Sequence, residues 1–250
     1  MENLDRLLEI LCEERGERVP ENLSGKDKAD LFRALCNVRP PRPVTDEFIA
    51  LQDEYLRQKT MERGVADVKG FEYKDNIALW QGDITLLNAD AIVNACNSAL
   101  LGCFTPLHNC IDNIIHSNAG VQVRLDCDAI MRGGHEKNGG VKVTKAYNLP
   151  SKYIFHTVGP VVCGGKPDAE NVRDLTNCYL SCLKKADEMR LESIAFCCIS
   201  TGVFGYPKRE ACALAVSTVK NYLAAGSKLK VIFNVFLDED ARLYARGLGL

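Results

Sequence analysis

The sequence predicts an α/β fold: a three-layer α/β/α sandwich around a mixed sheet, preceded by a helical extension. Three observations predict it. Apolar residues recur at helical spacing through residues 1–66, with no strand-like run among them. From about residue 67, short β-branched and apolar runs alternate with amphipathic segments. The polar residues and several of the glycines gather in the turns that follow those runs. The expected division is 1–66 for the helical extension and 67–250 for the α/β domain.

In the extension, Leu4, Leu7, Leu8 and Leu11 mark one helix. Asn22 or Ser24 caps a second, running through Phe32 and Leu35 and halted by Pro40-Pro41. Thr45 caps a third, whose first turn carries Asp46 and Glu47 and whose stop is Gly64. No chemical motif lies here; the segment either packs on the main domain or shapes access to its site.

The expected strands are Asn76–Trp80, Ala91–Ala95, an exposed Val141–Thr144, Tyr153–Val158, Ser193–Ile199 and Leu229–Phe236. Helices are expected from Ile111, over Val121–Met131, over Asn171–Met189, from Lys208, and after Asp238 as a cap.

Bulk properties exclude some functions. A net charge of −2 gives no basic footprint for nucleic acid. No apolar run approaches the ~20 residues of a membrane span. The charged start, Met1–Arg6, is unlike a signal peptide, so the twelve cysteines point to a reducing, cytoplasmic setting and to metal binding or burial rather than disulfides.

In open α/β sheets ligands collect beyond the carboxyl ends of strands. Four stretches lie at such ends: Gly82-Asp83-Ile84, Asn94–Ser98, Leu101–Cys110 and Ser200–Tyr206. Asp83 is either a cap or an acceptor for an amine or hydroxyl. Asn94 and Asn97 are either turn formers or ribose ligands. The glycine-containing turn Ser200–Tyr206, opening a helix, is either a plain link or a cradle of N–H groups for a phosphate. Cys103, His108 and Cys110 place two thiols and an imidazole in one loop, a donor set suited to Zn²⁺. Three protein ligands with one position open is the catalytic zinc pattern, and buried free thiols are the alternative. Cys127 is a conceivable fourth ligand. His116 and His156, in apolar contexts, are expected in the core, and His135 in solvent. Asp112 is either an acid favoured at a helix N-terminus or a general base.

Taken jointly, Gly82-Asp83-Ile84-Thr85, Asp90–Ser98, Asn148-Leu149-Pro150, His156–Pro160 and Ser200–Pro207 resemble a macrodomain, the ADP-ribose-binding fold, from about Asn76 to the C-terminus. The Cys103–Cys110 stretch in place of a glycine run, together with the helical extension, resembles the zinc-containing microbial subclass. That resemblance implies removal of mono-ADP-ribose from protein, with release of ADP-ribose. It implies Zn²⁺ on Cys103, His108 and Cys110, the three residues that the donor types also single out. It further implies adenine held by Asp83 and Ile84 and the distal ribose by Asn94 and Asn97. The diphosphate would lie along Ser200, Thr201, Gly202, Val203, Phe204, Gly205 and Tyr206, with Phe204 or Tyr206 over the ribose. Asn97 and Asp112 are the expected catalytic pair. Partners implied are a mono-ADP-ribosylated protein, in some genomes a lipoyl carrier, and a sirtuin-type transferase. An ADP-ribose reader with structural zinc and an O-acetyl-ADP-ribose deacetylase are the alternatives. The chain departs from the family pattern at Cys96 and at Cys197-Cys198, just before the phosphate turn.

Overall fold

All three helices foreseen before residue 67 form in a computed structural model that describes residues 2–250: α1 (Glu2–Glu13), α2 (Gly25–Val38) and α3 (Asp46–Arg63). Ser24 closes a capping box on α2, its hydroxyl accepting from the Asp27 N–H at 3.2 Å while the Asp27 carboxylate accepts from the Ser24 N–H at 3.3 Å. Thr45 caps α3, and Gly64, at φ 85°, ends it by returning its N–H to the Met61 carbonyl. Leu4, Leu7, Leu8, Leu11, Phe32, Leu35, Phe48 and Leu56 form a small core of their own, which Val121 of the main domain joins. Polar bonds complete the seam. Gln52, fully buried on α3, donates to Gln122 Oε1 at 2.7 Å and accepts from the Val121 N–H at 2.9 Å.

The main domain is a six-stranded sheet in the order β1-β6-β5-β2-β4-β3, built from β1 (Ile77–Gln81), β2 (Ala91–Cys96), β3 (Val141–Lys145), β4 (Tyr153–Val158), β5 (Ser193–Phe196) and β6 (Lys230–Val235). Five strands are parallel, and β3 runs antiparallel at one edge, so the sheet is mixed as expected. Helices α4 (Ile111–Ala119) and α5 (Val121–Met131) cover one face. Helices α6 (Ala169–Glu188), α7 (Lys208–Ala224) and α8 (Asp238–Leu248) pack together over the other. The central strands β2, β4, β5 and β6 are buried almost throughout, whereas β3 is mostly half-exposed. Among the described residues, no helix is long and apolar enough to cross a membrane.

Most boundaries shift by no more than two residues from expectation, and two of the differences have a clear physical reason. β5 stops at Phe196, because Cys197 and Cys198, although apolar, already belong to the turn that leads to Ser200. Asp238 is the first residue of α8 rather than its cap, which is Leu237; the Asp238 carboxylate instead accepts from Gln81 Nε2 at 2.8 Å.

Candidate active site

Five parallel strands end on one edge of the sheet, and that edge carries every stretch singled out from the sequence. Strand order sets their sequence along the cleft. Asp83 follows β1 and Phe236 follows the adjacent β6. The Ser200 turn follows β5, in the middle. Asn97 and the Cys103 loop follow β2, and Gly159–Val162 follow β4.

At the β1 end, Asp83 caps a short 3₁₀ turn: its Oδ1 accepts from the Thr85 N–H (2.9 Å) and hydroxyl (2.7 Å). Its Oδ2 pairs with Arg63 of α3 at 2.9 Å, while Ile84 is buried beneath. Phe236, 71% exposed, stands on the neighbouring strand end, tied to the Asp83 turn by the Gly82 N–H to Val235 carbonyl bond. It is a broad apolar face beside a carboxylate, suited to stacking on a planar base. Sequence reading missed it, since one exposed aromatic at a strand end carries no motif.

The β5 turn is shaped to leave N–H groups free. The Tyr206 N–H closes onto the Ser200 carbonyl, the Gly205 N–H onto Gly202 and the Thr201 N–H onto Cys198. Those of Gly202, Val203 and Phe204 find no acceptor in the turn, which makes them available to an anion. Ser200, at φ 64°, and Gly205, at φ 69°, supply the left-handed backbone that the tight closure needs. Val203 is 79% exposed, whereas Tyr206 is buried, so Phe204 and not Tyr206 is left partly open beside the turn. Gly159 permits the close approach of β4's end: a Cβ there would lie 2.0 Å from Ser200 Oγ. Val162 N–H bonds the Phe204 carbonyl at 2.8 Å, and just beyond it stands Cys163, the one cysteine exposed among the described residues.

The third part of the site joins β2 to α4. Asn97 folds its side chain into the local turn, donating to the Gly102 carbonyl at 3.1 Å and accepting from the Ala99 N–H at 3.1 Å. Asn94 lies one layer deeper and is fully buried. Its Nδ2 donates to Asp112 Oδ1 at 2.8 Å and faces His156 Nδ1 at 3.2 Å, and its Oδ1 has no partner among the described residues. Asp112, in the first turn of α4, points inward, with Oδ1 3.5 Å from His116 Nε2. Burial pushes its carboxyl up to about 6, opposed by the Asn94 hydrogen bond and the Arg124 charge.

Between Asn97 and Asp112, the ligand atoms of Cys103, His108 and Cys110 lie within 4.8 Å of one another, with Cys103 Sγ 3.5 Å from His108 Nδ1. All three are partly accessible. Cys110 also caps α4, its Sγ accepting from the Asn113 N–H at 3.4 Å. Two soft thiols and an imidazole so gathered fit a zinc ion held by three protein ligands. No fourth His, Cys, Asp or Glu joins the group among the described residues.

Cys127 does not belong to this cluster. It lies in the core with His116 and His156, its Sγ 3.8 Å from His156 Nε2. That second, fully buried group is poorly suited to a cation. His156 has one nitrogen against Asn94 and the other 2.9 Å from Thr144 Oγ1, and the Arg124 charge bears on His116. Both histidines are core residues, as expected, although neither ring nitrogen of His116 makes a hydrogen bond among the described residues, Asp112 being the carboxylate nearest its Nε2. His135 sits in the exposed loop after α5, with Nδ1 3.1 Å from Ser98 Oγ.

Residues 93–215 match the Macro domain. A Staphylococcus aureus protein-ADP-ribose hydrolase is 50% identical over 252 residues, spanning 97% of this chain and 94% of its own length. A Treponema medium protein of the same name is 44% identical, with 95% of each chain covered. Among solved structures, a Trypanosoma brucei macrodomain in complex with ADP-ribose superposes with TM-score 0.67 at 27% identity, over 86% of this chain and 95% of that one. An Oceanobacillus iheyensis macrodomain with ADP gives 0.63 at 34% identity, over 68% and 88%.

Proposed function

Since the chain belongs to the Macro domain family, we propose that it removes mono-ADP-ribose from modified proteins with a zinc ion held by Cys103, His108 and Cys110. It is an enzyme of the protein-ADP-ribose hydrolase class, as its relatives along nearly the whole chain are. The observation that carries the zinc reading is the convergence of three partly accessible ligand atoms within 4.8 Å, on the loop between Asn97 and Asp112.

The residues divide the work along the cleft. Asp83, Ile84 and the face of Phe236 receive adenine. The free N–H groups of Gly202, Val203 and Phe204 take the diphosphate, with Ser200, Thr201, Gly205 and Tyr206 holding the turn closed around it. The distal ribose then lies towards the β2 end, where Asn97 and the Cys103–Cys110 loop meet. Asn97 can exchange its turn bonds for ribose hydroxyls, since both are local and only part-buried. Asn94 acts from beneath, fixing the Asp112 carboxylate in place. Asp112, buried just beneath the Cys103–Cys110 loop, is the residue to which this reading assigns the proton of the attacking water, to accept or to orient. When bound, the ion supplies Lewis acidity at the ribose end of the cleft. The products are free ADP-ribose and the unmodified side chain.

The partner is a mono-ADP-ribosylated protein, with a lipoyl carrier and a sirtuin-type transferase as the implied functional companions, and the cytoplasm is the implied location. The test is ADP-ribose release from a mono-ADP-ribosylated carrier protein before and after metal is stripped with a chelator. Release that stops on stripping and returns with Zn²⁺ is expected. Unchanged release after verified metal loss would remove zinc from the chemistry and leave Asp112 and Asn97 to carry it.

A further inference from the structure

We propose that Arg33 and Asn37, on helix α2 of the extension, are positioning residues that hold the Cys103–Cys110 loop in its metal-binding shape. The inference rests on the zinc reading above and concerns what makes that loop competent.

Seen by itself the loop is poorly held. It contains no helix or strand, and Leu107, immediately before the ligand His108, is a non-glycine residue at φ 56°. A short loop bearing three ligands keeps them converged only if its carbonyls and N–H groups are bound from outside. Two side chains of α2 do this. Arg33 Nη2 donates to the His108 carbonyl at 2.6 Å and to Asn113 Oδ1 at 2.9 Å. Asn37, only 2% exposed, accepts from the Leu107 N–H at 3.0 Å and donates to Ser117 Oγ at 2.9 Å. Thus the strained residue is held at its N–H and the adjacent ligand at its carbonyl, by residues one helical turn apart on one face of α2.

The same bonds reach the other ligands through Asn113. This fully buried residue donates to the Cys103 carbonyl at 3.3 Å and the Thr105 carbonyl at 2.9 Å, and its own N–H meets Cys110 Sγ. Its Oδ1 is fixed by Arg33 and by the Ser117 hydroxyl, which Asn37 in turn engages. Arg33, Asn37, Ser117 and Asn113 therefore form one network touching the backbone or sulfur of all three ligand residues. Such outer contacts orient ligands before metal arrives. The extension is in this sense part of the metal centre.

The experiment uses the full chain and measures Zn²⁺ affinity by competition with a chromogenic chelator, ADP-ribose affinity by calorimetry, and the melting temperature of the metal-free protein. Arg33→Met and Asn37→Leu remove the bonds while keeping bulk. They are expected to weaken zinc roughly 10–100-fold with ADP-ribose affinity within a few-fold of wild type. Asn37→Asp keeps the acceptor for the Leu107 N–H and is expected to restore most of the zinc affinity. Unchanged zinc affinity in both bond-deleting variants would overturn the proposal. So would an Asn37→Asp variant as weak as Asn37→Leu, with losses that follow the metal-free melting temperature, since that is the mark of a purely structural role. A wild-type chain that binds no zinc would sink the metal reading itself, a result separable from either of these.

Discussion

His156 is fully enclosed, and burial holds its imidazole down to about 3, far below its ordinary value. The sign of the consequence is fixed. Because the folded pKa lies below the unfolded one, protonation favours the unfolded chain, and stability is lost as pH falls through the window from about 6.5 to 3. At pH 5 this one residue removes about 2 kcal/mol. Denaturant melts of wild type and His156→Gln between pH 7 and 4 check it, the variant being expected to show the shallower decline. At the cleft, His108→Ala is expected to abolish turnover while ADP-ribose binding survives, because the ligand atom sits apart from the diphosphate turn; full activity in that variant would remove His108 from the reaction. The chemistry at Asp112 was only half legible in the sequence. Its place at a helix start could be read from local spacing, but its inward turn towards Asn94, 18 residues away, depends on β2 and α4 packing together.

Periodicity made most elements legible. The leucines of α1, the caps Ser24 and Thr45, and the apolar runs of β2, β4 and β6 are local signals, and local physics placed them. β5 was overextended because hydrophobicity alone does not distinguish Cys197-Cys198 in a strand from the same residues entering a turn. The Ser200–Tyr206 turn was found by its glycines, yet Gly159, whose lack of a side chain lets β4's end approach it, lies on another element. Gly159→Ala would place a methyl against Ser200 Oγ and Ile199 Cγ2, at 2.0 and 2.9 Å, so the turn must shift. The expected result is a loss of ~1–3 kcal/mol in stability together with weaker ADP-ribose binding, read by calorimetry. Wild-type affinity in a folded Gly159→Ala chain would show that the turn tolerates displacement.

At the scale of the whole molecule, the extension meets the α/β domain at two points along the cleft: Arg63 against Asp83, and Arg33 and Asn37 against the Cys103–Cys110 loop. None of these contacts is visible in sequence, since they join positions 20 to 75 residues apart through tertiary packing. The seam between them combines the apolar contact of Val121 with polar bonds in which Gln52 engages both Gln122 and the Val121 N–H. Gln52→Ala leaves the Val121 N–H and the Gln122 Oε1 acceptor unpaired and is expected to cost ~1–3 kcal/mol. Urea denaturation should register the loss as a lower midpoint in a single transition, if extension and domain unfold together. A separate early transition would instead show that the three helices detach on their own.

One exposed thiol stands, among the described residues, at the tail of the segment that leans on the Ser200–Tyr206 turn. Chemically, Cys163 is therefore a ready-made handle. With the half-accessible Cys103 and Cys110 shielded by metal, a maleimide fluorophore would couple there in preference to the buried thiols, and the Val162–Phe204 hydrogen bond would carry any movement of the turn to the dye. Cys163 offers an exposed attachment point for an optical gauge of occupancy that requires no engineered cysteine.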